Sequence, residues 1–202
     1  LWQAMLLVIL VVVIFLQNWR ATLIPAIAVP VSLIGTFAVF PLLGFSINTL
    51  SLLGLVLAIG IVVDDAIVVV EAVTAKMEKG LKPIQATIAA MKEVSGPIVA
   101  TSLALIAVFV PVAMMGGITG RLYQQFAITI AISVAISSIN ALTLSPALSA
   151  LLLRPSSERK DSWLTPFYKR FNRVFESTTN KYMKVAGLFS RKLMVSVVAL
   201  LG

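Results

Sequence analysis

Asp64 and Asp65 stand side by side within residues 51–70, SLLGLVLAIGIVVDDAIVVV, a run that otherwise holds nothing more polar than serine and glycine. A carboxyl group at the centre of a membrane-spanning helix costs about 2.5–3.5 kcal/mol on insertion scales, and here two follow in succession. A helix with a purely structural task gains nothing from that cost. Successive side chains on a helix diverge by about 100°, so the two carboxyls span a wedge of surface and cannot both face one neighbour. Gly60, one turn before Asp64, and Ala58, two turns before Asp65, are expected to let a partner helix come close and shield the acids from lipid. Burial and mutual repulsion both act on their protonation, so that one or both can gain and lose a proton near neutral pH.

Three chemistries use two acids inside a membrane. One is a proton or sodium relay in a secondary transporter, working in a field worth about 2.3 kcal/mol per charge per 100 mV. A second is an intramembrane aspartyl protease, which needs two carboxyls converging on one water, whereas neighbours on one helix diverge. A third is a static ion pair in a structural helix bundle; no apolar span here carries a base, so its cation has to come from other sequence. The relay is favoured, because ionisable groups inside a membrane serve function by default. Glu71, two turns from Asp64 and near the end of the span, is an accessory candidate for proton exit, although an interfacial carboxylate needs no such role. The chain has no cysteine and no histidine. That removes thiolate chemistry, heme attachment and most zinc sites, so no metal or cofactor is expected, and it leaves protonation near neutral pH to carboxyl groups.

The elements that must hold these acids follow from composition. Of 202 residues 59% are hydrophobic and 12% charged, which excludes an ordinary soluble domain and predicts an all-α, polytopic membrane protein. Apolar runs of about 20 residues match a hydrocarbon core of about 30 Å. Five full spans are expected, at 1–16, 24–43, 49–73, 97–115 and 126–153, with a partial sixth from Leu193. Between them, 163–189 reads as an amphipathic helix with Leu164, Phe167, Phe171, Val174, Phe175, Tyr182 and Val185 on its apolar face. Lys169, Arg170, Arg173, Lys181 and Lys184 flank that face, the pattern of a helix lying on the cytoplasmic membrane surface. The divisions are therefore 1–155 for the helix bundle, 156–192 for the connecting surface helix and 193–202 for the start of the next span. Both ends fall within apolar helix and no Met opens the chain, so the sequence is expected to be a piece of a longer protein.

A net charge of +8 raises the question of nucleic acid, and the distribution answers it. Alternating the spans puts 15 of the 16 Lys and Arg on one side, with Arg121 opposite. By the positive-inside rule the segments 74–96 and 154–192 are cytoplasmic, and the basic surplus serves topology and anionic lipid, not nucleic acid. Residues 76–96 have helical spacing and are expected to form a short cytoplasmic hairpin element.

Pro25 and Pro97 are placed near helix starts, where a missing N–H costs nothing, whereas Pro30, Pro111 and Pro146 are expected to bend their helices. In the fifth span Thr129, Ser133, Ser137 and Asn140 share one helical face that should avoid lipid. Close helix packing is the favoured reading over a hydrated pathway, in which case alanine at 133 and 137 leaves transport intact.

The run Gly60-Ile-Val-Val-Asp64-Asp65-Ala-Ile-Val-Val-Val-Glu71 closely resembles the fourth-helix motif of resistance-nodulation-division efflux pumps, in the hydrophobe and amphiphile exporter branch. Further landmarks follow in family order: Phe15-Leu-Gln-Asn18-Trp-Arg20-Ala-Thr-Leu-Ile-Pro25, Gly44-Phe-Ser-Ile-Asn48-Thr-Leu, Phe109-Val-Pro111, Gly116-Gly-Ile-Thr-Gly120 and Leu144-Ser-Pro146-Ala-Leu. The likeness is strong over residues 1–155 and looser beyond. It implies that the five spans are transmembrane helices two to six, 163–189 the connecting helix and Leu193 the start of helix seven. Helix one, two large periplasmic regions and helices eight to twelve, with the lysine and hydroxyl partners of the acids, then lie outside this sequence.

Asp64 and Asp65 match the family's proton-relay carboxylates. Ala72, where the family often has Asn, and Ser145, where it often has Thr, depart from the pattern without touching the relay. The doubled Asp separates this chain from heavy-metal exporters and protein-export accessory subunits, which resemble the fold with a single acid. The resemblance implies a secondary active transporter and no enzyme: a homotrimeric antiporter of the bacterial inner membrane, working with a periplasmic adaptor and an outer-membrane channel. It would export drugs and other amphiphilic compounds with protons as the coupling ion; sodium coupling or another substrate class is the alternative.

Overall fold

The computed structural model describes residues 2–154 and six helical positions further on: Arg173, Phe175, Thr178, Thr179, Tyr182 and Met183. The chain divides into two units, Leu1–Arg159 and Lys160–Gly202. Apart from those six positions, the surface helix expected over 163–189 and the span expected from Leu193 lie outside the described residues.

Among the described residues every element is helical, as an all-α membrane protein requires. Helix α1 is Trp2–Leu16; α2 is Trp19–Val39, continued by a 3-10 turn over Phe40–Leu43; α3 is Thr49–Glu78; α4 is Pro83–Ala113; α5 is Gly117–Leu142; and α6 is Leu144–Leu152. Among the described residues four stretches are long and apolar enough to cross a membrane: Trp19–Leu43, Thr49–Glu78, Pro83–Ala113 and Tyr123–Leu152. The first expected span, 1–16, is α1, a shorter apolar helix of 15 residues.

Local chemistry sets the starts. Asn48 and Ser51 form a capping box on α3, Asn48 Oδ1 accepting from Ser51 N and Ser51 Oγ accepting from Asn48 N, both at 2.9 Å. Asn18 caps α2 through its side chain, accepting from Arg20 N at 3.1 Å. That cap starts α2 at Trp19 instead of 24, so Pro25 lies inside the helix. Pro83 opens α4 at a position whose N–H has no helical partner in any case. Gly80, at φ +93°, makes the α3–α4 turn, a conformation other residues rarely adopt.

Two expectations about α4 are corrected. There is no separate hairpin element over 76–96, because α3 runs on to Glu78 and α4 is one helix of 31 residues. Pro97 therefore sits in mid-helix, not at a start. Its missing N–H removes one backbone bond, that of the Glu93 carbonyl, at the more polar end of the helix, and the turns on either side hold the helix through it. Pro146 does interrupt its helix. The ring opposes the carbonyl four residues back, at Leu142, and there α5 ends; Thr143, at φ −121° and ψ −65°, leaves helical geometry before α6 begins.

The helices alternate in direction, which brings the α1–α2 turn, the α3–α4 turn and the end of α6 to one end of the bundle, the basic end. A core there joins Ala21, Ile24, Val73, Met77, Ala86, Ala90, Ala141 and Leu153, and Lys76 pairs with Glu93 across the α3–α4 turn. At the opposite end Asn48 Nδ2 donates to Gln125 Oε1 and Gln125 Nε2 to the Ser46 carbonyl, each at 2.6 Å, tying the loop before α3 to α5.

Between these ends α5 packs against α2, α3 and α4. Small residues admit it. A Cβ on Gly35 of α2 would lie 3.2 Å from Ile136 Cγ2, and one on Gly54 of α3 would lie 3.3 Å from Phe126 Cδ2 and 3.4 Å from the Phe126 carbonyl. Lipid is as apolar as these side chains, so close van der Waals contact and hydrogen bonds, not hydrophobic burial, decide which faces meet.

Candidate functional site

Helix α3 carries both acids near its midpoint, with no proline or break on either side to disturb their phase. The divergence expected of adjacent helical positions is what the structure contains. Asp65 is half-buried and turned to α5, where its Oδ2 accepts a hydrogen bond of 3.0 Å from Ser137 Oγ. The same hydroxyl lies 3.4 Å from the Val62 carbonyl one turn back along α3. Asp64 is exposed and points away from that seam. One carboxyl is thus held by a hydroxyl donor while its neighbour is open to whatever covers the outer face of α3.

That outer face is a continuous helical stripe of exposed positions: Leu53, Leu57, Gly60, Asp64, Val68 and Glu71. Two placements follow from it. Gly60 is not a contact of the described helices, since a Cβ built on it meets nothing within 4 Å; close approach occurs at Gly54, on the side of α3 that faces α5. Gly60 was expected to admit a shielding helix, and the phase of α3 turns it outward with Asp64. Ala58 does lie in a fully buried position. Glu71 lies on the stripe with Asp64, but seven residues along the helix is about 10 Å, so the structure does not bring it to the pair.

Among the described residues no Lys or Arg forms an ion pair with either Asp, the single ion pair there being Lys76 with Glu93. Nor, among them, do three His, Cys, Asp or Glu side chains gather as a metal site would require.

The hydroxyl face of α5 is buried, as its spacing suggested. Thr129, Ser133 and Ser137 are each 2% exposed or less. Ser133 Oγ and Thr36 Oγ1 of α2 lie 3.1 Å apart, and Asn140 Nδ2 donates to Ser32 Oγ at 2.8 Å. These bonds stitch α5 to α2. Each hydroxyl has one proton and also has a carbonyl of its own helix within 2.8 Å, Thr129 for Ser133 and Ser32 for Thr36, so at most one of the two donates across the seam while the other donates within its own helix.

Ser137 differs, because its partner is the acid. Sequence reasoning placed Ser137 among packing residues and missed that contact; the signal was its position on the polar face, but the helix it faces is not written in α5. The two serines should therefore part company in the full-length protein. Ser133→Ala is expected to leave transport unchanged, since Thr36 keeps its bond to the Ser32 carbonyl. Ser137→Ala removes a hydrogen bond to an acid worth about 1–2 kcal/mol and should change the rate of transport severalfold at unchanged expression. Equal behaviour of the two variants in an efflux assay would show that the Ser137 contact has no role.

The arrangement suits proton chemistry. Two carboxyls one residue apart meet different surroundings, one with a fixed donor and one without, and groups set apart in this way can divide the work of holding and passing a proton. They do not converge on a shared point, as a two-acid hydrolytic centre demands.

The profile of the AcrB/AcrD/AcrF family matches residues 1–202. Two relatives give the scale of the likeness. Multidrug export protein AcrF of Escherichia coli strain K12 is 47% identical over 207 residues, covering 100% of this chain and 20% of that protein. Multidrug resistance protein MdtC of Pectobacterium atrosepticum is 49% identical over 179 residues, covering 89% of this chain and 17% of that protein. The chain thus spans about a fifth of the length of the curated relatives it matches.

Proposed function

This chain belongs to the AcrB/AcrD/AcrF family, within the resistance-nodulation-division transporters, and we propose that it is the proton-relay part of a pump that exports drugs and other amphiphilic compounds in exchange for protons. The observation that carries this reading is the pairing of Asp64 on the open face of α3 with Asp65 held by Ser137 across the α5 seam. Asp64 and Asp65 take up protons from one side of the membrane and release them to the other. A cation from outside this chain faces Asp64 and competes with the proton for it. Each proton that arrives frees that cation, and each that leaves recaptures it, so protonation moves the helix that bears it. Glu71, toward the basic end of the same stripe, is an accessory group for release.

The basic end lies in the cytoplasm, with residues 74–96 and 154–192 on that side of a bacterial inner membrane. The whole pump is a homotrimer that works with a periplasmic adaptor and an outer-membrane channel, and its substrates bind outside the helices described here. A transporter of the same family coupled to sodium, or serving another substrate class, is the second reading, since a carboxyl with an adjacent hydroxyl also suits a small cation.

Reconstituted vesicles separate the two. Full-length protein in proteoliposomes should move a fluorescent amphiphile when a pH gradient is imposed in sodium-free buffer, and should acidify or alkalinise the lumen in proportion. Transport that requires a sodium gradient, with none under a pH gradient alone, would replace the proton reading by the sodium one.

A further inference from the structure

The α1–α2 turn and the end of α6 meet at one corner of the basic end. Arg20, the second residue of α2, donates from Nη1 to the Leu152 carbonyl at 3.4 Å, and its guanidinium carbon lies 5.1 Å from the centre of the Trp19 ring. That contact brings the exposed Arg154, two residues beyond Leu152, to the same corner. Neither arginine takes part in an ion pair among the described residues. The surface beside them is apolar and open: Trp19 is 70% exposed, Leu23 37% and Leu151 79%. Leu23 stands one turn further into the membrane than Trp19, and Leu151 directly precedes the bonded carbonyl.

Two guanidiniums with no ion-pair partner among the described residues, an indole at the membrane boundary and aliphatic side chains on its hydrocarbon side suit one kind of molecule. A guanidinium fits a phosphate with two parallel hydrogen bonds, which an ammonium cannot do. Tryptophan settles at the headgroup level, where one part of the ring meets lipid and the N–H meets water. We infer that the corner formed by Trp19, Arg20 and Arg154 is a binding site for the headgroup of an anionic phospholipid, whose acyl chains lie along Leu23 and Leu151. The site rests on the orientation proposed above only in naming the leaflet, the cytoplasmic one. It is more specific than the diffuse attraction of a basic surface, because it joins charge, planar donors and an apolar wall in one place.

Native mass spectrometry of the full-length protein in mixed micelles tests it, with phosphatidylglycerol and phosphatidylcholine as the probes. Wild type should retain phosphatidylglycerol over phosphatidylcholine, and Arg20→Gln combined with Arg154→Gln should lower that retention about fivefold per charge removed. Lys79→Gln combined with Lys82→Gln, two exposed cations at the α3–α4 turn, should leave it unchanged. Because Arg20 also bonds the end of α6, Arg154→Gln alone is the second variant, with a loss of about fivefold expected and no burden on the fold. Equal retention of both lipids by wild type, or no loss in Arg154→Gln, overturns the site. An equal loss in the lysine variant overturns it as well, leaving general attraction by the basic end. The readout involves no transport, so its failure leaves the proton relay standing.

Discussion

If Asp64 and Asp65 relay protons as proposed, asparagine at position 64 or 65 of the full-length protein should abolish efflux: drug resistance of the host should fall to that of cells without the pump, while expression and assembly stay at wild-type levels. The two side chains are nearly the same size, and the Asn oxygen can still accept from Ser137, so packing at the α3–α5 seam is preserved. What is lost is the ability to bind and release a proton. The loss should be complete in either variant, because Asp64 and Asp65 occupy different surroundings and neither can take the other's place. The static ion-pair reading fails differently. Neutralising the acid then strands a buried cation at a cost of about 3–5 kcal/mol, and the protein should be poorly assembled. Retained efflux in either variant would end the relay proposal in this form.

Leucine at Gly54 should unfold the α3–α5 seam. A Cβ there already lies 3.3 Å from Phe126 Cδ2 and 3.4 Å from the Phe126 carbonyl, so the further carbons of leucine must enter α5 backbone. Overpacking of this kind costs about 1–3 kcal/mol where side chains can give, and more where a backbone must move. The detergent-solubilised protein should lose several degrees of thermal stability or fail to accumulate. Gly60→Leu is the informative contrast, since nothing described lies within 4 Å of that position. The isolated chain should tolerate it. In the full-length protein the same change should impair assembly, because the helix that covers Asp64 would meet the new side chain one turn away. A Gly54→Leu protein as stable as wild type would mean that α5 does not pack there; a Gly60→Leu pump that assembles normally would leave the outer stripe of α3 without a close neighbour.

Of the helix starts set by neighbours in sequence, that of α3 at Thr49 met its expected boundary, whereas α2 and α4 begin earlier than the expected 24 and 97, at Trp19 and Pro83. Asn18, Asn48 with Ser51, and Pro83 act over one turn, and each sits at the start of an observed helix. The span limits were less legible. Where the expected boundary rested on Pro97 alone, the structure continued the helix, since one missing hydrogen bond does not outweigh the turns on either side. Pro146 acted as expected.

By itself the sequence determined that this is an all-helical membrane chain, where its polar residues recur along each helix, and that two acids of unequal direction sit midway along one of them. These follow from composition, from a period of 3.6 residues and from the cost of charge in hydrocarbon. Only the tertiary structure decided which face of α3 is inner and what the polar face of α5 meets. Soluble helices announce that face by an apolar stripe, but α3 is apolar on every side, so Gly54 and Gly60 look alike in sequence and differ only in what lies opposite. The same holds for Ser133 and Ser137, two hydroxyls one turn apart. Their meeting with Thr36 and with Asp65 depends on the crossing of α5 with α2 and α3, which is set by van der Waals fit between helices distant in sequence.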